Sequence, residues 1–580
     1  MHIAIIPSRQ GDKVYRSKLL RRSYRKDGKV QKQTLANLSN LDDGAIALLQ
    51  GHFRGRTFVE AGSDIEIVRS RSHGDVAAVA AAFRELDFVR LIGSRPSRER
   101  DLVCAMVAAR IIRPHTKLAT TRWWHCSTLP EVFGVGDAGV DELYAAMDWL
   151  LRRRNRIQGK LAKRLFREGG LVLYDLSSTY FEGQHCPLAR FGHNRDGKKG
   201  KMQVNFGLLC DVRGRPAAVS VHPGDVGDTR TILPEVMRLR QRFDLSRVVI
   251  VGDRGMIVQT TIDALRRLDG IDWISALKGG RVARLVRDGS LGRLDEVNLF
   301  ELLHPDFPGE RLVACRNRRL AVRRARTRLS LLEATEAELA RLQGSVARGR
   351  LSGAARIGLR VGEVINRFKV KKHFRIDITD SRFDFSRRED TIAAEAALDG
   401  IYVIRTSLPD SDMEAGDCVR SYKSLTRVER AFRTIKTVNL RVRPVHHRSA
   451  DRVRSHIFLC MLAWYVEWHM REAWRPLLFS DTELEEDIRT RDPVAPARRS
   501  RAADRKAAGG MLDDGTPAHC FRTLIETLGT MTRNTCRVRP PEEGKPAVEF
   551  EITAQADEKQ QRALDLLKRI GELSMPAPRL

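Results

Sequence analysis

Three carboxylates in this chain carry the types and spacing that metal-assisted chemistry would use. Asp175 ends the apolar run Leu171-Val172-Leu173-Tyr174, and Asp253 ends a second short apolar strand read over Arg247–Val251. Glu429 lies far downstream, in Y-K-S-L-T-R-V-E-R-A-F-R-T-I-K at residues 422–436. If the two strands are neighbours in one sheet, both aspartates emerge at the same edge. A helix packed across that edge brings Glu429 in. Three carboxylates with no cysteine or histidine make an oxygen-rich site suited to Mg2+ or Mn2+. Two such ions about 4 Å apart can activate a water or a 3′-hydroxyl and stabilise the leaving oxygen in phosphoryl transfer. Either aspartate alone also fits a plainer role as a turn or cap residue. The joint pattern points to the chemistry.

The stretch 422–436 is the element that must deliver the third acid. At about 100° per residue, Leu425, Val428, Phe432 and Ile435 form one apolar stripe. Lys423, Arg427, Arg430 and Thr434 fall on the opposite, solvated side, while Tyr422, Glu429 and Lys436 meet at one border with Arg433 beside them. A stability-only alternative is a Glu429–Arg433 pair at i,i+4, worth tenths of a kcal/mol.

The bulk composition agrees with a polyanionic partner. Lys and Arg number 103 against 73 Asp and Glu, a formal charge of +30 over 580 residues. In an otherwise ordinary globular composition this points first to nucleic acid and second to an anionic membrane surface. The nine cysteines are scattered singly, with no C-x-x-C and no zinc spacing. That usage suits a reducing cytoplasm. Met1 leads into no signal peptide, and the longest apolar run, Ile457–Val466, is too short to span a bilayer. No membrane association is expected.

The remaining elements divide the chain. Residues 1–74 read as an N-terminal β-hairpin region, turning at Lys26-Asp27-Gly28-Lys29. Residues 75–168 are helical and basic. Arg152-Arg153-Arg154-Asn155-Arg156, with Lys160, Lys163, Arg164 and Arg167, makes a face for docking a duplex or, equally, a solvated surface. From 169 to 280 the order is three strands, helix, strand, helix, strand, an α/β pattern. Residues 281–395 break that rhythm and are expected to form an inserted helix/strand lobe, with Ala276 and Val403 on strands of one sheet. Buried-strand texture resumes at 396–470. A C-terminal region, 471–580, contains a Pro/Ala/Arg linker at 488–510 expected to lack order.

D-L-S-S-T-Y-F-E-G at 175–183, V-G-D-R-G-M at 251–256 and Y-x6-E-x6-K at 422–436 resemble the DDE transposases of bacterial insertion sequences, within the group carrying a Tyr-x2-Arg-x3-Glu-x6-Lys signature. Y-R-K-D-G-K-V at 24–30 is similar to the start of those proteins. The resemblance covers mainly 169–280 and 396–470. It implies an RNase H-like mixed sheet interrupted by the inserted lobe, flanked by the helical DNA-binding region and the small C-terminal region. It also implies that Asp175, Asp253 and Glu429 ligate two Mg2+ (or Mn2+), and that Tyr422 and Lys436 contact DNA phosphate. The signature Arg should stand at 425, where this chain has Leu425; Arg427 or Arg433 then takes the phosphate contact, or none does. The implied activity is binding of terminal inverted repeats, cleavage at the element's ends and joining of 3′-hydroxyls to target DNA, performed by a dimer on paired ends. A metal-dependent nuclease without strand transfer, and an inactive transposase acting as a repressor, are the alternatives.

Overall fold

A computed structural model of the chain describes residues 1–10, 13–26, 28–56, 58, 64–539 and 547–573. The chain divides into two compact units, Met1–Arg71 with Thr532–Ala554, and Ser72–Met531 with Gln555–Leu580.

In the first unit, strands His2–Gln10, Lys13–Lys26 and Lys29–Asn37 form an antiparallel sheet. Asp27, half of the Asp-Gly turn signal, lies outside the described residues, but the strands on either side of it pair in register, Arg25 opposite Val30. A helix, Asp43–Phe53, comes next, its N-cap Asp42 accepting from the Ala45 N–H at 2.8 Å. The second sheet of this unit joins Asp64–Ser72 to Thr532–Arg539 and Val548–Thr553. The division into 1–74 and 471–580 therefore needs correction, since two C-terminal strands complete the N-terminal unit. Pairing across so long a sequence separation leaves no local trace in the pattern.

The second unit is built on an eight-stranded mixed sheet. Its strands are β1 (Gly170–Tyr180), β2 (Gln203–Cys210), β3 (Pro216–Pro223), β4 (Val248–Val251), β5 (Ile271–Ala276), β6 (Leu299–Leu302), β7 (Arg311–Arg316) and β8 (Ile401–Thr406). They lie in the order β6-β7-β8-β5-β4-β1-β2-β3. β1, β2 and β3 form an antiparallel meander, while β4 is parallel to both β1 and β5. The central β4, V-V-I-V, is buried at every residue, as expected for a parallel strand covered on both faces. Tyr174 lies across β2 at Gly207, where any Cβ would meet the Tyr174 ring and hydroxyl at 2.4–2.8 Å, so only glycine fits.

Helices surround this sheet or interrupt it, among them α1 (Arg98–Ile112), α2 (Val140–Leu165), α3 (Ile232–Phe243), α4 (Arg318–Ala347), α5 (Ala354–Phe368), α6 (Ala415–Lys423), α7 (Leu425–Arg433) and α8 (Ala450–Ala473). α1 is buried throughout from Leu102 to Ile112, and α8 from Ser455 to Met470. The apolar run Ile457–Val466 is therefore core, and among the described residues no helix is long and apolar enough to cross a membrane. All nine cysteines are unpaired.

The lobe expected at 281–395 is corrected in part. Ala276 does pair with Ile404, which puts it and Val403 on strands of one sheet. But β6 and β7 fall inside 281–395 and extend that same sheet through β8. The true interruption starts at α4 and runs through α5, a hairpin of Phe374–Ile378 with Phe383–Arg387, and a short helix. It has its own apolar core, including Leu339, Ile357, Val361, Phe374 and Phe383.

The linker at 488–510 is also corrected. It holds the helix Arg501–Gly509, capped by Ser500, and a packed segment around the buried Val494. Lys423 Nζ donates to the carbonyls of Pro493 (2.5 Å) and Ala495 (3.2 Å), and Arg420 Nε to that of Ile488 (3.2 Å). Low hydrophobicity gave the appearance of disorder, because this segment is held by backbone carbonyls rather than by apolar side chains.

One cation in the helical region is structural rather than nucleic-acid-facing. Lys117 is 5% exposed and donates to Nδ1 of the buried His456 at 3.0 Å. Burial and the nearby Arg110 lower its ammonium to about 7. Between about pH 7 and 10.4 the unfolded chain then binds more protons than the folded one, so stability rises with pH across that window. Lys117→Met is expected to remove this rise, so that its advantage over the parent shrinks by on the order of 3 kcal/mol between pH 7 and 10. Denaturant midpoints measured in parallel would settle it; two curves that stay parallel would remove Lys117 as the cause.

Candidate active site

The register of the sheet brings the two aspartates together. Parallel pairing of β1 and β4 ends at Leu173 opposite Val251. Asp175 and Asp253 each stand two residues further on, so they share one edge and one face. Asp175 does not end its strand, contrary to expectation from the sequence. β1 continues to Tyr180, paired with β2 through Ser177, Ser178 and Thr179, which are strand rather than turn.

Across this edge lies α7, with Leu425, Val428, Ala431 and Phe432 buried. The Phe432 ring meets Phe206 of β2 edge-on at 5.3 Å. The expected single helix over 422–436 is in fact segmented. α6 ends at Lys423, α7 starts after Ser424, and a π-helical turn spans Thr434–Val438. Tyr422, Glu429 and Lys436 nonetheless line one cleft of about 660 Å3 together with Asp175, Asp253 and Arg433. Among the described residues Glu429 forms no ion pair, so the Glu429–Arg433 bridge is absent.

The cleft is lined by as many cations as acids, but among the described residues Asp175, Asp253 and Glu429 form no ion pair, while Asp196 and Asp228 take up Lys436, Arg443 and Arg195. Burial, and then the charges of Asp253 and Glu429, push the Asp175 carboxyl up to about 7, against the opposing pull of the Leu176 N–H and Arg195. The Leu176 N–H reaches Asp175 Oδ1 at 2.8 Å. Tyr422 donates its hydroxyl to Asp253 Oδ1 at 3.3 Å, and burial with that carboxylate raises the phenol. The acidic groups facing the cleft offer carboxylate oxygens, the set a hard divalent cation takes. Among the described residues no three acids or other ligating side chains close around a common point, so the carboxylates line the cleft without forming a ready cage.

The expected cations are placed differently from one another. Arg433 lines the cleft and is exposed. Arg427 does not line it: its guanidinium donates to the Val212 carbonyl at 2.7 Å and to Glu485 at 3.0 and 3.1 Å. The side read as solvated is in part covered by the segment after α8, which also takes up Lys423; Thr434 is buried as well. Lys436 reaches the cleft but is already held. Its Nζ contacts Asp196 Oδ1 at 2.7 Å, Ser177 Oγ at 3.0 Å and the Ser178 carbonyl at 3.1 Å. Burial lowers its ammonium, and Asp196 opposes that shift.

Four cleft residues are not evident from the sequence. The Asp196 side chain is 2% exposed and pairs with Arg443 at 2.5 Å as well as with Lys436. Arg195 is ion-paired with Asp228, and both line the same cleft. All but Arg443 sit in polar loops, N-R-D-G-K-K-G at 194–200 and G-D-V-G-D-T-R at 224–230. Their composition is that of ordinary surface turns, so only the charge density of the loops was a signal.

A transposase DDE domain matches residues 178–466, taking in Asp253 and Glu429 and beginning just after Asp175. The N-terminal domain of the IS1634 family transposases matches residues 3–57. No curated protein sequence matches the chain. Among solved structures, a cryo-EM structure of a piggyBac transposase synaptic complex with hairpin DNA is similar at 9% identity and a TM-score of 0.34, over 78% of this chain and 76% of that one. So distant a likeness adds nothing to the assignment. On the two family matches, which together span more than half of it, the chain belongs to the DDE transposases of insertion sequences.

Proposed function

We propose that this transposase binds the terminal inverted repeats of its element, cuts at the ends and joins the freed 3′-hydroxyls to target DNA. The observation that carries the reading is the convergence of Asp175, Asp253 and Glu429 on one cleft from β1, the end of β4 and α7. Asp175, Asp253 and Glu429 would hold divalent cations, Mg2+ or Mn2+, which would supply polarisation of the attacked phosphodiester and activation of the attacking oxygen. The sheet order, an antiparallel β1-β2-β3 meander beside parallel β4 and β5, supports an RNase H-like arrangement extended by β8, β7 and β6.

The chain's own side chains divide the remaining work. Tyr422 fixes the orientation of the Asp253 carboxylate through its hydroxyl. Arg433, exposed at the rim, meets DNA phosphate. Lys436 and Arg443 are steered by Asp196, and a phosphate entering the cleft competes with that carboxylate for both. The enzyme acts in the cytoplasm on DNA, as a dimer that pairs two ends.

The test is a labelled duplex carrying the terminal repeat, incubated with a target plasmid and Mg2+ or Mn2+. The expected result is a free 3′-hydroxyl at the element's end and then plasmid-joined product. Cleavage without joining would favour the nuclease alternative. Binding with neither would point to a repressor.

A further inference from the structure

A second cavity, of about 340 Å3, opens between α2, α3 and α8 beside the end of β3. It is lined by Arg154 of α2, Arg238 and Arg242 of α3, and Arg454 of α8, with Glu235 and His222. Four guanidinium groups therefore face one lining carboxylate. Glu235 holds Arg238 at 3.0 Å, and Arg454 is paired at 2.8 Å with Asp451, a largely exposed neighbour on its own helix. Among the described residues Arg242 has only the neutral Asn155 amide oxygen, at 2.9 Å.

The Arg154 guanidinium makes neither a hydrogen bond nor an ion pair with any described residue. It is buried enough, and close enough to Arg238, Arg454 and Arg242, for its proton affinity to be lowered. His222 is kept neutral, lowered to about 4 by burial and by Arg238. Its Nε2 is enclosed without a hydrogen-bond partner among the described residues. Arg154 and Arg242, which no carboxylate among the described residues neutralises, and a buried ring nitrogen with no partner among them are an unfavourable combination on their own. A tetrahedral oxyanion offsets both costs, because guanidinium forks match phosphate oxygens.

The cavity is linked to the acidic cleft by the chain itself. From His222 the loop runs to Asp228, which lines the cleft, and on into α3. Six residue steps allow at most about 20 Å between the two positions. That is about six base-pair steps of a duplex at 3.4 Å each. We propose that this arginine-lined cavity seats one backbone phosphate of the duplex whose end lies in the acidic cleft. The inference rests on the DNA-processing function proposed above and adds a site to it.

The test uses Arg154→Gln combined with Arg242→Gln, neither of which touches the acidic cleft. Terminal-duplex binding is titrated over a range of salt for the parent and the variant. The log–log slope of the variant is expected to be shallower by about 0.9, the loss of one phosphate contact. Methylphosphonate substitution, one position at a time, is expected to weaken the parent at a position away from the cut and to leave the variant unaffected there. An unchanged salt slope, with methylphosphonate effects that simply add to the mutations, overturns the proposal. So does a thermal shift with inorganic pyrophosphate that the mutations abolish while the duplex slope stays the same, because the seat would then serve free phosphate. If the double variant fails to fold, Arg242→Gln alone carries the methylphosphonate comparison. A parent protein that binds no terminal duplex at all refutes the proposed function instead, which separates the two failures.

Discussion

Glu429→Gln is expected to lower metal-dependent cleavage of a terminal duplex by at least about 10²–10³-fold, the equivalent of about 3–4 kcal/mol of barrier. Its effect on stability should stay within about 0.5 kcal/mol, because the side chain is exposed and makes no ion pair among the described residues. Affinity for the duplex should change little, since the substitution leaves Arg433, Lys436 and Arg443 in place. Asp175→Asn should match it in cleavage. It differs in that Asp175 is enclosed and crowded by Asp253 and Glu429, so neutralising it relieves repulsion in the metal-free protein. The decisive pair of measurements is cleavage rate and duplex affinity on the same preparations. Normal cleavage by Glu429→Gln would take α7 out of the catalytic machinery and leave it a packing helix.

The largest stability effect is expected far from the acids. The Glu310 side chain is fully buried and accepts from Arg405 Nε and Nη2, both at 2.6 Å, and from Arg266 Nη2 at 2.9 Å. Arg405 is 7% exposed and lies over the Phe307 ring at 5.4 Å. Glu310→Ala strands a buried guanidinium and should cost about 3–5 kcal/mol. The double change Glu310→Leu with Arg405→Met should recover much of that loss, since apolar replacement of a buried pair is often close to neutral. Hydrogen exchange of β7 and β8 reads the loss locally, which suits a chain too large to unfold in two states. Full protection of both strands in Glu310→Ala would show that the pair contributes little.

The centre of the sheet is legible in the sequence and its margins are obscure, for one physical reason. β4 and the first half of β1 are covered on both faces, so their burial is written into consecutive residues, V-V-I-V and L-V-L-Y. β6 at the sheet edge, L-F-E-L, and its neighbour β7, R-L-V-A-C-R, carry charge, and they merge into the helix-rich texture around them. For the site, spacing sufficed to group Tyr422, Glu429 and Lys436, because positions seven apart stay on one side even where α6, α7 and the π-helical turn replace a single helix. It could not show that Arg427 is taken up by Val212 and Glu485, or that Asp196 holds Lys436. Those contacts depend on segments far away in the chain, and a helical wheel carries no information about what covers its polar side.

The pairing of Asp64–Ser72 with Thr532–Arg539 also sets an order of events during synthesis. The first strands of the chain emerge early, yet the sheet that completes their unit cannot close until residue 532 has been made. At about 5–20 residues per second, the intervening stretch takes roughly 20–90 s to translate. Throughout that interval the nascent chain carries an unfinished N-terminal unit, with the edge of Asp64–Ser72 unpaired while the eight-stranded sheet is being laid down. A ribosome that stops shortly before residue 532 thus releases a protein with its acidic cleft encoded in full and its N-terminal unit incomplete.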